Sequence, residues 1–255
     1  MKRPVEMVVG SGEPLVLVHG LAGSWRWWSP LLERLAQVRR VHAIDLPRRR
    51  PTVRAAELSA WLERRLDEAE LGRVDLAGHS LGGLVAAELA ALSPERVRSL
   101  VLVAPAGIPC GRSVPGRSVP LLETLFDLRR SLPLVVSDAL RAGPLGLVHG
   151  IAYVSSRDLT AELAAVRAPT LLLWGERDRL VPLWVAEEWQ RLVPHARLEL
   201  LPCGHVPMLE QPATVADRIA AFLGEQLPDD AGDGLRPREV DGVGLAGDDD
   251  QPAVG

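Results

Sequence analysis

The stretch Asp75–Leu84 reads DLAGHSLGGL. Ser80 has Gly78 two residues before it and Gly82 two residues after, with His79 just ahead and Gly83 behind. An exposed loop tolerates such a run without needing it. A strand that turns abruptly into a helix does need it. At that turn the chain on either side of the serine closes in, and only residues without a side chain fit. The new helix then aims its unpaired N–H groups at the serine hydroxyl. The plainer alternative is that the three glycines only let a helix pack close to a strand, so the flanking sequence has to decide.

RVDLAG (73–78) precedes the serine and LGGLVAAELAAL (81–92) follows it. The first reads as a buried strand and the second as a helix. The same alternation runs along the chain. VEMVV (5–9), PLVLVH (14–19), RVHAID (40–45), RSLVLVAP (98–105), PTLLLWG (169–175) and ARLELLP (196–202) read as strands. Several have almost no polar interruption, as parallel strands buried on both faces require. WSPLLERLAQV (28–38), RAAELSAWLERRLDEAE (54–70), PLWVAEEWQRLV (182–193) and PATVADRIAAFLGEQL (212–227) read as amphipathic helices. Strand and helix in turn predict an α/β fold, a mostly parallel, doubly wound sheet.

Residues 106–158 break this rhythm. They hold short helical patterns such as PLLETLFDLRR, many Pro and Gly, and a tandem duplication, GRSVP GRSVP, at 111–120. Lying between two predicted strands, they predict a small helical cap over the edge of a core made of 1–105 and 159–227. Loops accept duplications of this kind with little penalty. Residues 228–255 are rich in Gly, Pro and Asp and carry a net charge of −6; they read as a disordered acidic tail.

A serine hydroxyl is a weak nucleophile until a base takes its proton. Of the six histidines, His79 adjoins Ser80, and neighbouring side chains on an extended segment diverge. His42 lies within a strand, His149 in the cap and His195 at a helix end. His205, in LPCGHVPMLEQP, follows the last strand, and sites in open sheets form at the carboxyl ends of strands. It is the candidate base. A base needs a carboxylate to hold its tautomer. LLLWGERDRLVP supplies Asp178 as first candidate and Glu176, nearer the strand, as second. The chain order Ser80, Asp178, His205 is that of one hydrolase class. HGLAGS (19–24) follows an early strand, so its Leu21 N–H, or that of Ala22, is the candidate partner of the Leu81 N–H in an oxyanion hole. His19 is expected to brace this loop. Trp25 and Trp28 are the candidates for contact with substrate, although tryptophans so placed commonly pack in the core.

The bulk numbers allow one sizeable core, and the length fits a single α/β domain as well as two small ones. The 255 residues are 47% hydrophobic with a net charge of −4, and Lys2 is the sole lysine among scattered arginines. No basic field suggests nucleic acid, and Arg48-Arg49-Arg50 is too short for a polybasic segment. Cys110 and Cys203 form neither a ligand spacing nor a disulfide framework. The N-terminus has no signal-peptide pattern and no apolar run reaches about 18 residues, so no membrane span and a cytoplasmic location are the default expectations. Nothing suggests a nucleotide or metal cofactor: no G-x-G-x-x-G follows the first strand, and no cluster has metal-ligand spacing.

VHGLAGSWRWW, AIDLP, LAGHSLGGL, LLLWGERDRLVP and CGHVPMLEQP together resemble the α/β-hydrolase fold superfamily, specifically its capped esterase and C–C hydrolase group. The resemblance spans roughly residues 5 to 226. It puts Ser80 at the nucleophile, Asp178 at the acid, His205 at the base, and Leu21 with Leu81 at the oxyanion hole. A serine nucleophile argues against the dehalogenase and epoxide hydrolase branches, which use a carboxylate. After AIDLP the family usually has a glycine-rich stretch, whereas here RRRPTVRAAEL runs almost directly into the next helix. The expected function is hydrolysis of a small carboxylic ester or related acyl compound. The alternatives are a thioesterase or lactonase, or a C–C hydrolase that would want cap arginines (Arg112, Arg117, Arg129, Arg130, Arg141) for a substrate carboxylate. Outside enzymology, a ligand-binding protein on the same fold is the rival.

Overall fold

The structure, a computed structural model, describes residues 6–47, 55–110, 124, 126–129 and 131–226. The arginine triplet, the 111–120 duplication and the 228–255 tail lie outside the described residues. Seven strands, β1 (Glu6–Val9), β2 (Pro14–Val18), β3 (Arg40–Ile44), β4 (Val74–His79), β5 (Val97–Val103), β6 (Thr170–Gly175) and β7 (Arg197–Leu201), form one sheet in the order β1-β3-β2-β4-β5-β6-β7. β1 runs antiparallel to β3, and all other neighbours are parallel. β4 and β6 are buried at every position, which is why their sequences show no polar alternation.

The helices are α1 (Leu32–Leu35), α2 (Ala55–Glu68), α3 (Leu81–Leu92), α4 (Leu132–Ser156), α5 (Leu183–Leu192), α6 (Pro207–Glu210) and α7 (Pro212–Glu225). Alternate strand residues feed two cores. Val16, Leu76, Leu102 and Leu172 point to a layer formed by α2, α3 and α5. Leu17, Ala77, Val101 and Leu173 point to the opposite layer, with α1 and α7. The sheet is thus wound on both faces, with helices on each. Among the described residues, no helix is long and apolar enough to cross a membrane.

Two expectations need correction. The 28–38 stretch is not one amphipathic helix. Trp25–Leu31 is a 3₁₀ helix containing Pro30, and only the single turn of α1 follows. Pro30 has no N–H to donate and its ring crowds the preceding turn, so the tighter geometry prevails. Trp28 is not at a pocket wall. It is 0% exposed and sits in the core beside α1 and α7. The segment between β5 and β6 is helical, and its main element, α4, is broken into two helices at Gly143 (φ +73°, ψ 162°) just before Pro144. A left-handed residue followed by proline ends one helix and starts another.

β4 is anchored at its start by a charge in the core. Asp75 is 0% exposed and Arg39 is 1% exposed. Arg39 Nε donates to Asp75 Oδ2 at 2.6 Å and Ser99 Oγ donates to Asp75 Oδ1 at 2.7 Å. The remaining Arg39 nitrogens donate to the carbonyls of Val38 and Leu223, so both charges are compensated and α7 is tied to the sheet.

Candidate active site

Ser80 sits between β4 and α3 with φ +50° and ψ −112°. That conformation is strained for a residue with a Cβ and persists only where the surroundings enforce it. Here they do. Ser80 N–H donates to the Val103 carbonyl at 3.0 Å, and Ser80 C=O accepts from Leu84 N–H at 3.0 Å and Ala106 N–H at 3.1 Å. Gly78 and Gly82 are required by close approach. A Cβ on Gly78 would fall on the Gly82 carbonyl, and one on Gly82 would fall on the carbonyl of Val18. The glycines do more than allow tight packing: they let the strand reverse so that the hydroxyl stands at the carboxyl end of the sheet.

His205 Nε2 lies 3.2 Å from Ser80 Oγ, and its Nδ1 lies 2.7 Å from Asp178 Oδ2. All three residues are buried. An ionised carboxylate only accepts, so Nδ1 carries the proton and the Nε2 lone pair faces the serine hydroxyl. The other Asp178 oxygen accepts from the N–H groups of Leu180 and Val181, each at 2.9 Å. The turn after β6 therefore holds the carboxylate through bonds that do not involve the histidine. Glu176, the alternative acid, is exposed and does not join this chain of bonds. The loop bearing His205 is braced by Glu210, whose Oε2 accepts from Gly204 N–H at 2.8 Å and whose Oε1 accepts from Val206 N–H at 3.2 Å. The sequence reading missed Glu210. Its signal was an acid five residues beyond His205, one turn into a proline-started helix.

The loop after β2 is a tight turn. Gly23 N–H donates to Gly20 C=O at 3.1 Å, which puts Leu21 and Ala22 at the centre, Ala22 with φ +59°. That closing bond uses neither of their N–H groups. His19 braces the loop: Nδ1–H donates to Gly20 C=O at 2.8 Å and Nε2 accepts from Leu46 N–H at 2.9 Å. Asp45 Oδ1 accepts from Trp25 N–H at 2.7 Å, so AIDLP supports HGLAGS. Leu81 is the first residue of α3, and its N–H has no acceptor within the helix.

His79 does not reach Ser80 as a base. Its Nε2–H donates to the His205 main-chain carbonyl at 2.9 Å, and its ring lies 5.0 Å from the His205 ring. Complete burial, with His205 and His19 nearby, holds its pKa well below the usual 6.5, so it stays neutral. His42 pairs with Glu6 at 2.7 Å, and His195 Nε2 meets the Ala168 carbonyl at 3.1 Å. The His149 side chain lies outside the described residues. Trp25 is partly exposed, with the Arg26 guanidinium 5.1 Å from its ring centre. A cleft of 580 Å³ opens on the acid side, between Phe126, Asp127, Arg177 and Asp178. Of the arginines offered for a substrate carboxylate, Arg141 bonds Asp138 and Arg129 lies over Phe126. Arg112, Arg117 and Arg130 lie outside the described residues. Among the described residues, no group of three or more His, Cys, Asp or Glu is arranged to hold a metal.

The sheet order, the strained elbow and the bonded serine, histidine and aspartate define a class. The model of the alpha/beta hydrolase family matches residues 15–218, and the chain belongs to that family: it is a hydrolase. It is similar to the pimeloyl-[acyl-carrier protein] methyl ester esterase of Nitrosomonas europaea, 35% identical over 236 residues, covering 80% of this chain and 92% of that protein. The 2-hydroxy-6-oxo-2,4-heptadienoate hydrolase of Pseudomonas putida is 30% identical over 239 residues, covering 80% of this chain and 86% of its own. Among solved structures, a bacterial membrane phospholipase A superposes with a TM-score of 0.74 at 27% identity, covering 87% of this chain and 82% of that one.

Proposed function

We propose that the protein is a serine hydrolase that cleaves a small carboxylic ester through an acyl-enzyme, with Ser80 as nucleophile, His205 as base and Asp178 as orienting acid. The observation that carries this is the continuous bond chain from Asp178 Oδ2 through the His205 ring to Ser80 Oγ. In this reading His205 Nε2 takes the hydroxyl proton as Ser80 Oγ attacks the ester carbonyl carbon. The carbonyl oxygen becomes an oxyanion held by the Leu21 and Leu81 N–H groups. The carbon–oxygen bond to the alcohol then breaks, and the alcohol leaves with the proton from His205. Water, deprotonated by the same ring, releases the acid and restores Ser80. Each oxyanion donor lowers the barrier by roughly 3 kcal/mol. Asp178 holds the His205 ring in place and stabilises the transient imidazolium.

Residues 106–158 serve in this reading as the cap, and the cleft beside Asp178 as an approach for substrate. Of the two tryptophans expected at the substrate, Trp25 keeps exposed surface and retains that role. The esterase relative supports an ester substrate. The Pseudomonas relative, whose name describes a dienoate hydrolase, supports C–C cleavage by the same three residues as the second reading.

Labelling with a serine-directed fluorophosphonate tests the nucleophile: the native chain should label and Ser80→Ala should not. A series of p-nitrophenyl esters of rising acyl length tests the substrate class. A maximum at one length supports the esterase. Background rates at every length, with the chain still labelling, favour C–C cleavage.

A further inference from the structure

One buried carboxylate outside this catalytic chain joins two distant parts of the molecule. Asp138, in the first half of α4, is 2% exposed. Its Oδ2 accepts from Ser24 Oγ at 2.6 Å and from Trp27 Nε1 at 3.2 Å, while Oδ1 accepts from Arg141 Nη1 at 3.0 Å. Ser24 closes the His19–Ser24 loop and Trp27 lies in the helical turn after it. The partners are 114 and 111 residues apart in sequence. Apolar packing would fasten α4 to the core without the penalty of dehydrating a carboxylate. What polar contacts add is direction, since each bond fixes a donor at one distance and angle.

The second half of α4 reaches the same loop. Gly150 lies against the Leu21 side chain so closely that a Cβ there would fall on Leu21 Cδ1. The break at Gly143 separates the two halves, and each bears on a different part of the loop. The loop needs such support. Ala22 is held at φ +59°, a conformation that relaxes unless its neighbours enforce it.

We propose that Asp138 is a positioning residue for the oxyanion loop. Through Ser24 and Trp27 it sets where the Leu21 N–H stands relative to Ser80. The segment between β5 and β6 then contributes to the rate of reaction as well as to access. This rests on Ser80 as nucleophile and Leu21 as oxyanion donor.

The test measures p-nitrophenyl acetate hydrolysis together with inhibition by an aryl trifluoromethyl ketone. The ketone carbon bonds Ser80 Oγ, the serine proton passes to His205, and the ketone oxygen becomes an oxyanion with no group leaving. Asp138→Ala should lower kcat about 10- to 100-fold, the range expected when an oxyanion donor is misplaced. KM should change little, and ketone affinity should weaken by the same factor as kcat. Asp138→Asn keeps an acceptor for Ser24 and Trp27 and should recover most of the loss. The proposal is overturned by a folded Asp138→Ala with unchanged kcat, by a loss confined to KM, or by an Asn variant no better than Ala. Should Asp138→Ala not fold, Ser24→Ala and Trp27→Phe each remove one donor, and unchanged kcat in both overturns it equally. Activity or labelling that survives in Ser80→Ala would instead remove the nucleophile assignment, a separate failure.

Discussion

His79 donates a hydrogen bond to the backbone carbonyl of His205, so the residue before Ser80 holds the loop that bears His205. This ties two segments 126 residues apart and has a pH signature. A neutral buried imidazole binds no proton in the folded state, yet takes one when unfolded below its ordinary pKa of 6.5. The unfolded state then binds more protons, so this contribution is intact above that pH and is lost as pH falls. The slope approaches about 1.4 kcal/mol per pH unit. His79→Gln keeps a donor and does not titrate. Urea unfolding at pH 7.5 and 5.5 should show the native chain losing stability relative to the variant at the lower pH. A constant difference would refute the assignment.

Asp178 and Glu176 offer a paired test of the acid. Asp178→Asn should leave the fold intact and reduce kcat by about 10⁴-fold, because the amide favours the wrong imidazole tautomer. Glu176→Gln should keep activity within the same order of magnitude. Steady-state ester hydrolysis separates them, and equal losses would mean that the bond from His205 to Asp178 is not the functional one.

The buried pair at the base of β4 governs stability. Asp75→Leu strands the Arg39 charge in the core and should cost about 3–5 kcal/mol. The double variant Arg39→Leu/Asp75→Leu should recover much of it, since neither charge is then left alone. Denaturant midpoints of the singles and the double give the coupling. A double variant that is as unstable as both singles summed would contradict it.

The two thiols should react at different rates. Burial pushes the Cys203 thiol up to about 12, and the residue is 1% exposed. Cys110 is partly exposed. Since the thiolate is the reactive form, a disulfide reagent should modify one thiol quickly and the other only on unfolding, and Cys110→Ser should remove the fast phase.

Strands such as β2 and β6 are legible in the sequence because they are short unbroken apolar runs bounded by turn residues, whereas the rim strands β1 and β7 are partly exposed and carry charged residues among the apolar ones. The elbow is legible because Gly78, Ser80 and Gly82 are forced by one backbone geometry. What escaped were long-range polar pairings. Nothing near Asp138 in sequence announces Ser24 and Trp27, and nothing near Asp75 announces Arg39. A carboxylate in an otherwise regular pattern gives no sign of whether it meets water or a partner. Trp28 escaped for a related reason: in WRWW the three rings share composition, and only the 3₁₀ turn set by Pro30 decides which of them face the core.

The sheet ends at β7, which among the described strands has a neighbour only on the β6 side. A rim strand offers bare amide and carbonyl groups that can seed cross-β growth. Leu200 on this strand is 42% exposed, an added attraction for a second chain. Arg197 and Glu199 alternate with the leucines and pair with Glu225 and Arg218. Any strand stacking on this rim would have to strip water from that ionic lattice. Four charged side chains therefore stand along this rim, the kind of edge charge that disfavours pairing with another chain.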